Sequence, residues 1–216
     1  MQILFNNQEI IVVNKPSGLN AHANDSKDEN LLSLMEKSEK EPLHLLNRLD
    51  KETSGLSVFV RKPFVLKYQE LWQSDFCKKF YLAVTHGPLK EPQMEWKWPL
   101  TDKSEGRQNP QGLGADRKAC LTLVKEIKKN PYFSLIEAEI KSGRQHQIRK
   151  HAALNRTPLV GDKRYSEKRK LDIIQKKYDF EGLALHCYKL ILTPELIFET
   201  QQGTEDFEQF FKNGPT

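Results

Sequence analysis

Strand-length apolar runs, each cut short by a turn former, set the narrowest limit on what this chain can fold into. The run at Glu9–Val13 ends in Asn-Lys-Pro, "GLSVFV" follows a polar Thr-Ser pair, and "KKFYLAVTH" stops at Gly87. "ACLTLVKEI" and "YFSLIEAEI" alternate apolar and polar residues and read as paired strands, and "LALHCYKLILT" reads as a late strand. Helical patterns are fewer. In "NLLSLMEKSEK" Leu31, Leu34 and Met35 share a face behind Asn30 as cap. In "KPFVLKYQELWQSDF" Phe64, Tyr68, Leu71, Trp72 and Phe76 recur at spacings of three and four, with Pro63 in the first turn. "SGRQHQIRKHAAL" reads as a turn running into a helix, and "TEDFEQFF" as a C-terminal helix capped by Thr204. Strands and helices mix without βαβ regularity and without an internal repeat, so the expected class is α+β.

The 216 residues, 38% apolar and 29% charged, suit a folded domain with a sizeable core. One domain spanning 1–216 is expected, since no linker is visible. Pro16–Asn30 is rich in turn formers and reads as a loop. Lys90–Lys118 loses periodicity and reads as a long loop or hairpin tip. No apolar run approaches the ~18–20 residues of a membrane span, so no membrane association is expected. "MQILFNNQEI" lacks the pattern of a secretory signal. Cys77, Cys120 and Cys187 are odd in number and far apart, which fits a reducing cytoplasm. His146 and His151 stand five apart, about 140° around a helix, which is no metal pair. No metal is expected. The net charge of +5 hints at a polyanionic partner. Two stretches concentrate it: "GDKRYSEKRKLDIIQKK", Gly161 to Lys177, and "RKHAALNR", Arg149 to Arg156.

"HLLNRLDKETSGLSVFV", His44 to Val60, carries the residue that most invites a chemical role. Arg48 and Asp50 share a face if the chain is extended. An aspartate in apolar surroundings beside a guanidinium stays ionised and can act as a nucleophile. The same spacing equally describes a structural ion pair, the commoner situation. In "SGRQHQIRKHAAL" Arg144, His146, Gln147 and Arg149 crowd the start of a helix, where anions bind. A solvated basic face would look the same. No glycine-rich phosphate loop or nucleophile elbow is present.

These residues, taken together, resemble the RluA family of RNA pseudouridine synthases. "VVNKPSGLNAH", "NRLDKETSGLSVFV", "KKFYLAVTHG", "SGRQHQIRKHAALNRTPLVGDKRY" and "LALHCYKL" resemble the family's motifs in order. The resemblance implies a mixed, mostly antiparallel sheet with flanking helices and loops around a catalytic cleft. It implies isomerisation of uridine to pseudouridine in structured tRNA or rRNA, by base flipping and without a cofactor. It implies Asp50 as nucleophile, Tyr81 against the uracil and in proton transfer, and Arg149 in a salt bridge with Asp50. It implies Arg48 holding the flipped-out RNA. Lys79, Arg144, His146, Gln147, Lys163 and Arg164 are the further expected RNA contacts. Asn47 stands where the family usually has histidine, and Gln145 where it has threonine or serine. The first strand begins near the N-terminus, so no RNA-binding S4 domain is expected, and RNA choice falls to Lys90–Lys118 and Gly161–Glu181. A monomer is expected. The alternative is a non-catalytic RNA-binding or RNA-folding module on the same fold.

Overall fold

Continuous apolar runs survive in water only where both faces of a strand are covered, and the computed structural model, which describes residues 2–22, 29–103 and 106–212, covers them. Strand β1 (Gln2–Asn6) pairs antiparallel with β2 (Ile10–Lys15), and β2 with β4 (Ser54–Arg61), whose residues are buried until Arg61. The short β3 (Leu43–Leu45) pairs with the far end of β4. Helix α1 (Leu31–Glu39) carries the expected Asn30 cap. Asn30 accepts from the Ser33 amide while Ser33 Oγ accepts from the Asn30 amide, a reciprocal capping box. Leu31 and Met35 pack with Ile11, Val13 and Phe59 into one core.

The chain resolves into two compact units, Met1–Lys79 with Cys187–Gly203, and Phe80–His186 with Thr204–Thr216. The first also holds α2 (Val65–Gln73) and most of β9 (Leu185–Thr193), which pairs with β10 (Leu196–Glu199). The second holds most of β5 (Lys78–His86), and an antiparallel meander of β6 (Gln93–Trp96), β7 (Thr122–Lys129) and β8 (Phe133–Ile140). It also holds α3 (Gln147–Leu154), α4 (Lys168–Tyr178) and α5 (Gln209–Lys212). Its core gathers Val84, Phe133, Leu135, Val160, Ile174, Ala184, Phe207 and Phe210. Among the described residues no helix is long and apolar enough to cross a membrane.

Several expectations are corrected. The stretch Lys90–Lys118 is not wholly irregular, since it contains β6, while Leu100 and Lys118 exchange both backbone bonds at 3.0 and 2.9 Å, in line with the hairpin, one of the two expectations. Pro63 opens a 3-10 turn at Lys62–Phe64, not α2 itself. Phe76 is 63% exposed, because α2 ends at Gln73, short of the apolar repeat. Thr204 makes no side-chain cap, and a 3-10 turn at Glu205–Glu208 precedes α5. Part of the Pro16–Asn30 loop, residues 23–28, lies outside the described residues. The strands β1, β3 and β10 are too short for a periodicity signal, and the basic composition of α4 conceals its helical period.

Candidate active site

In the first unit, the segment that carries Asp50 is a loop bonded to a strand. The Leu46 amide donates to the Val58 carbonyl at 2.8 Å as the chain leaves β3. Asn47, 9% exposed, then acts as a surrogate strand. Its side-chain oxygen accepts from the Val58 amide at 2.8 Å and its Nδ2 donates to the Leu56 carbonyl at 3.0 Å. A turn follows, closed by the Thr53 amide on the Asp50 carbonyl at 3.1 Å. From the other side, the segment after β2 grips the same turn. The Lys51 carbonyl accepts from the Gly18 amide at 2.8 Å and from Lys15 Nζ at 3.1 Å. Ser17 Oγ donates to the Glu52 carbonyl at 2.7 Å. Gly18 takes this position at φ +86°, open to glycine at no steric cost.

Lys15, the last residue of β2, is fully buried, a charge at the end of an apolar run. Its ammonium satisfies its three protons on the Pro16, Leu19 and Lys51 carbonyls at 3.0, 2.9 and 3.1 Å. Burial pulls its pKa down to about 8, while the carboxylates of Asp50 and Glu52 pull it back up. A cation therefore lies beneath the Asp50 turn. Arg48, by contrast, is exposed. The Thr-Ser-Gly step has its own reason. Gly55 has φ +114°, and a Cβ there would meet the Cys187 carbonyl oxygen at 2.3 Å, so only glycine lets β4 and β9 approach.

In the second unit, the buried pair Arg149–Asp162 is the counterpart. Arg149 Nε and Nη2 donate to Asp162 Oδ2 and Oδ1 at 2.8 and 2.9 Å, a two-point grip with both side chains out of solvent. Asp162 also accepts from the Arg164 and Tyr165 amides at 2.9 and 3.0 Å, so its orientation is set by its own turn. The turn comes from "PLVGD". Val160 donates its amide to the Val84 carbonyl of β5, and Pro158 accepts from the His86 amide, laying this segment along β5. The Arg149 guanidinium stands 5.5 Å from the Tyr165 ring centre, and the Tyr165 hydroxyl is hydrogen-bonded to His146 Nδ1 at 3.0 Å. Burial, with Arg149 and Lys150 near, lowers the His146 pKa to about 3, so the ring is neutral.

The rest of α3 fastens the same unit. Gln147 accepts from Ser142 Oγ and the Arg144 amide, and donates to the Leu121 carbonyl and Thr122 Oγ1. Lys150 donates to the Thr101 and Lys103 carbonyls at 2.9 and 2.6 Å, and His151 bonds the Trp98 carbonyl and Thr122 Oγ1. Tyr81 on β5 is 8% exposed. The strand's alternation sets it on the face that also carries Lys79. Lys79 is 4% exposed, with its ammonium 4.6 Å from the Trp72 ring centre. Lys79 and Gln147 thus spend their polar atoms inside the fold. Arg144 is half-buried on Asp102 at 3.3 Å, while Lys163 and Arg164 are exposed. No cluster of three or more potential metal ligands occurs among the described residues. Sequence reasoning missed Lys15, Asp162 and Tyr165. The signals were a lysine inside "VVNK" and an aspartate closing "PLVGD".

Residues 9–154 match the family model described as RNA pseudouridylate synthase. The chain belongs to that family. Ribosomal large subunit pseudouridine synthase C of Buchnera aphidicola is 31% identical over 86% of this chain and 60% of its own length. The uncharacterized RNA pseudouridine synthase MG209 of Mycoplasma genitalium is 29% identical over 88% of this chain and 61% of its own length. Such relatives put the chain in the RluA-type branch that its motifs resemble. The chain spans about three-fifths of the length of these relatives. The solved structure of human RNA pseudouridylate synthase domain containing 4 superposes with TM-score 0.78 at 24% identity, over 99% of this chain and 94% of that one. Human RNA pseudouridylate synthase domain containing 1 gives 0.72 at 19% identity, over 92% and 81%. The pseudouridine synthase fold, α+β with a mostly antiparallel sheet, is the fold of this family member.

Proposed function

We propose that the protein is an RNA pseudouridine synthase, an isomerase that converts specific uridines of structured tRNA or rRNA to pseudouridine. The observation that carries this is the Asp50 turn, held from one side by Asn47 and from the other by Lys15, Ser17 and Gly18, in a chain that matches the family over 9–154. So many bonds around one short turn fix an acid in place, and a nucleophile works only if it is fixed. The two units together constitute one catalytic domain, a reading supported by the chain passing between them after Lys79, His186 and Gly203.

In this reading Asp50 is the nucleophile. The reaction breaks the C1′–N1 bond of uridine, joins C1′ to C5, releases the C5 proton and leaves a proton on N1. Atoms and charge balance with no cofactor. Tyr81 lies against the base, where an aromatic face contributes roughly 1–3 kcal/mol of stacking, and takes part in proton transfer. Arg149, oriented through Asp162, supplies the positive charge that keeps Asp50 ionised. The base leaves its stack at a cost of a few kcal/mol. Arg48 holds the opened RNA, and Arg144, His146, Lys163 and Arg164 contribute phosphate or base contacts. Action as a cytoplasmic monomer is part of the proposal. The name of the Buchnera relative makes large-subunit ribosomal RNA the first substrate to try.

The test is release of tritium from C5-tritiated uridine in RNA. Wild type is expected to release it and Asp50→Asn to release none while still binding RNA. Equal release by the two proteins, or none from either across rRNA and tRNA, overturns the reading.

A further inference from the structure

Residues 163–177 hold seven cations, Lys163, Arg164, Lys168, Arg169, Lys170, Lys176 and Lys177, against two acids, Glu167 and Asp172, a net of +5. The whole chain has 34 Lys and Arg against 29 Asp and Glu, also +5. The remaining residues therefore sum to zero, and the excess positive charge of the protein is confined to one short segment. Most of it folds as α4, which the basic sequence did not reveal as a helix.

Helical periodicity sorts these charges. Ile174 is buried in the core of the second unit, and Tyr178 packs on Phe133 and Phe210 with ring centres 5.6 and 5.0 Å apart. At about 100° per residue, Lys168, Asp172, Lys176, Arg169, Ile173 and Lys177 follow one another around the opposite half of the helix. All six are exposed. The eight residue steps from Lys168 to Lys176, and likewise from Arg169 to Lys177, span about 12 Å, so the cations form two pairs at the two ends of the face. Among the described residues none of these four makes an ion pair. Some exposed lysines elsewhere are paired, Lys67 with Glu9, Lys118 with Asp102 and Lys128 with Glu208, whereas these four cations are gathered on one helix face. The face also lies beyond residues 9–154 that match the family model.

We propose that this exposed face of α4 is a docking surface for the phosphodiester backbone of the RNA substrate, outside the region that contacts the target uridine. The inference rests on the proposed RNA function and deepens it. Lys168, Arg169, Lys176 and Lys177 bind phosphates as point charges, with the helix held rigid from behind by Ile174 and Tyr178. The contacts are sequence-independent. They raise affinity and encounter rate for structured RNA and leave the chemical step alone.

The experiment measures binding of a fluorescein-labelled RNA stem-loop by anisotropy, with tritium release run in parallel. Wild type is compared with Lys168→Gln/Arg169→Gln/Lys176→Gln/Lys177→Gln. A control removes the same charge from exposed sites in the first unit, Lys37→Gln/Lys40→Gln/Lys62→Gln/Lys67→Gln. Each lost phosphate contact reduces the slope of log affinity against log salt by about 0.7–0.9, so four reduce it by about 3. Between about 50 and 200 mM salt, wild type should then lose roughly 60-fold more affinity than the α4 variant. KM for RNA should rise with kcat unchanged. If wild type binds no RNA, the functional reading and this inference fall together. If wild type binds and the α4 variant binds with the same affinity and slope, only this inference falls. Equal losses in the control and the α4 variant attribute the effect to net charge and overturn it. So does an α4 variant that loses binding to phosphatidylglycerol vesicles but keeps RNA binding, since the surface would then serve a membrane.

Discussion

Replacing Asn47 with alanine tests the central structural claim, that one buried amide holds the loop of Asp50 to β4. The side chain makes two bonds, from the Val58 amide at 2.8 Å and to the Leu56 carbonyl at 3.0 Å. Each is worth about 1 kcal/mol net, and leaving a buried backbone group unsatisfied adds about 1–3 kcal/mol. Leu56 and Val58 are fully buried, so water cannot take over freely. The expected cost is about 2–4 kcal/mol, roughly 5–15 °C in melting temperature for a chain of this size. Asn47→Asp has the same size and keeps the acceptor for Val58, but it sets an oxygen against the Leu56 carbonyl. It should therefore also destabilise. Asn47→His, the residue usual in the family, keeps one contact and should fall between Asn47→Ala and wild type. Urea denaturation followed by circular dichroism measures these differences. Because Asp50 lies three residues on, tritium release per folded molecule should drop with the same ranking. A loss below about 0.5 kcal/mol for Asn47→Ala, the scatter of ordinary surface changes, would refute the reasoning.

Two further predictions concern the second unit. Asp162→Asn removes the two-point partner of a buried guanidinium, so it should cost about 3–5 kcal/mol and depress tritium release, whereas Asp172→Asn on the exposed face of α4 should change stability by less than about 0.5 kcal/mol; parallel denaturation curves decide it. His146 and His86 have pKa values lowered from the usual 6.5 to about 3 and about 4, chiefly by burial. Between about pH 6.5 and pH 4 the unfolded chain then binds more protons than the folded one, so their contribution to stability is present above the unfolded pKa and is lost as pH falls. The urea midpoint should decrease from about pH 7 to about pH 5, and His86→Gln/His146→Gln should flatten that decrease; an unchanged midpoint in wild type would contradict it.

Local features of the chain were legible without coordinates. Apolar runs long enough to alternate or to be buried on both faces gave β2, β4, β5, β7, β8 and β9, and the Asn30 cap gave the start of α1. These depend on residues a few positions apart, so periodicity and capping report them. The motif around Asp50 was also visible, and with it the family. Strands as short as β3 carry too few residues for a period, and the cations of α4 obscured the Leu171, Ile174 and Tyr178 side that anchors it.

What the tertiary structure decided is which groups satisfy one another. From spacing, Arg48 was the obvious partner for Asp50. The fold leaves Arg48 exposed, and the Lys15 ammonium, thirty-five residues before Asp50, bonds the Pro16, Leu19 and Lys51 carbonyls under the turn. Arg149 finds Asp162 thirteen residues later, because "PLVGD" runs along β5 before it turns. Asn47 reaches β4 nine and eleven residues on, and Gly55 is required by the backbone of Cys187. A sequence determines the residue types that need burial, caps or partners, since those needs are properties of each side chain and its neighbours. The partners are set by where strands and turns lie in space. A buried charge or amide bonds whatever the packed backbone presents, and sequence distance has no bearing on that choice.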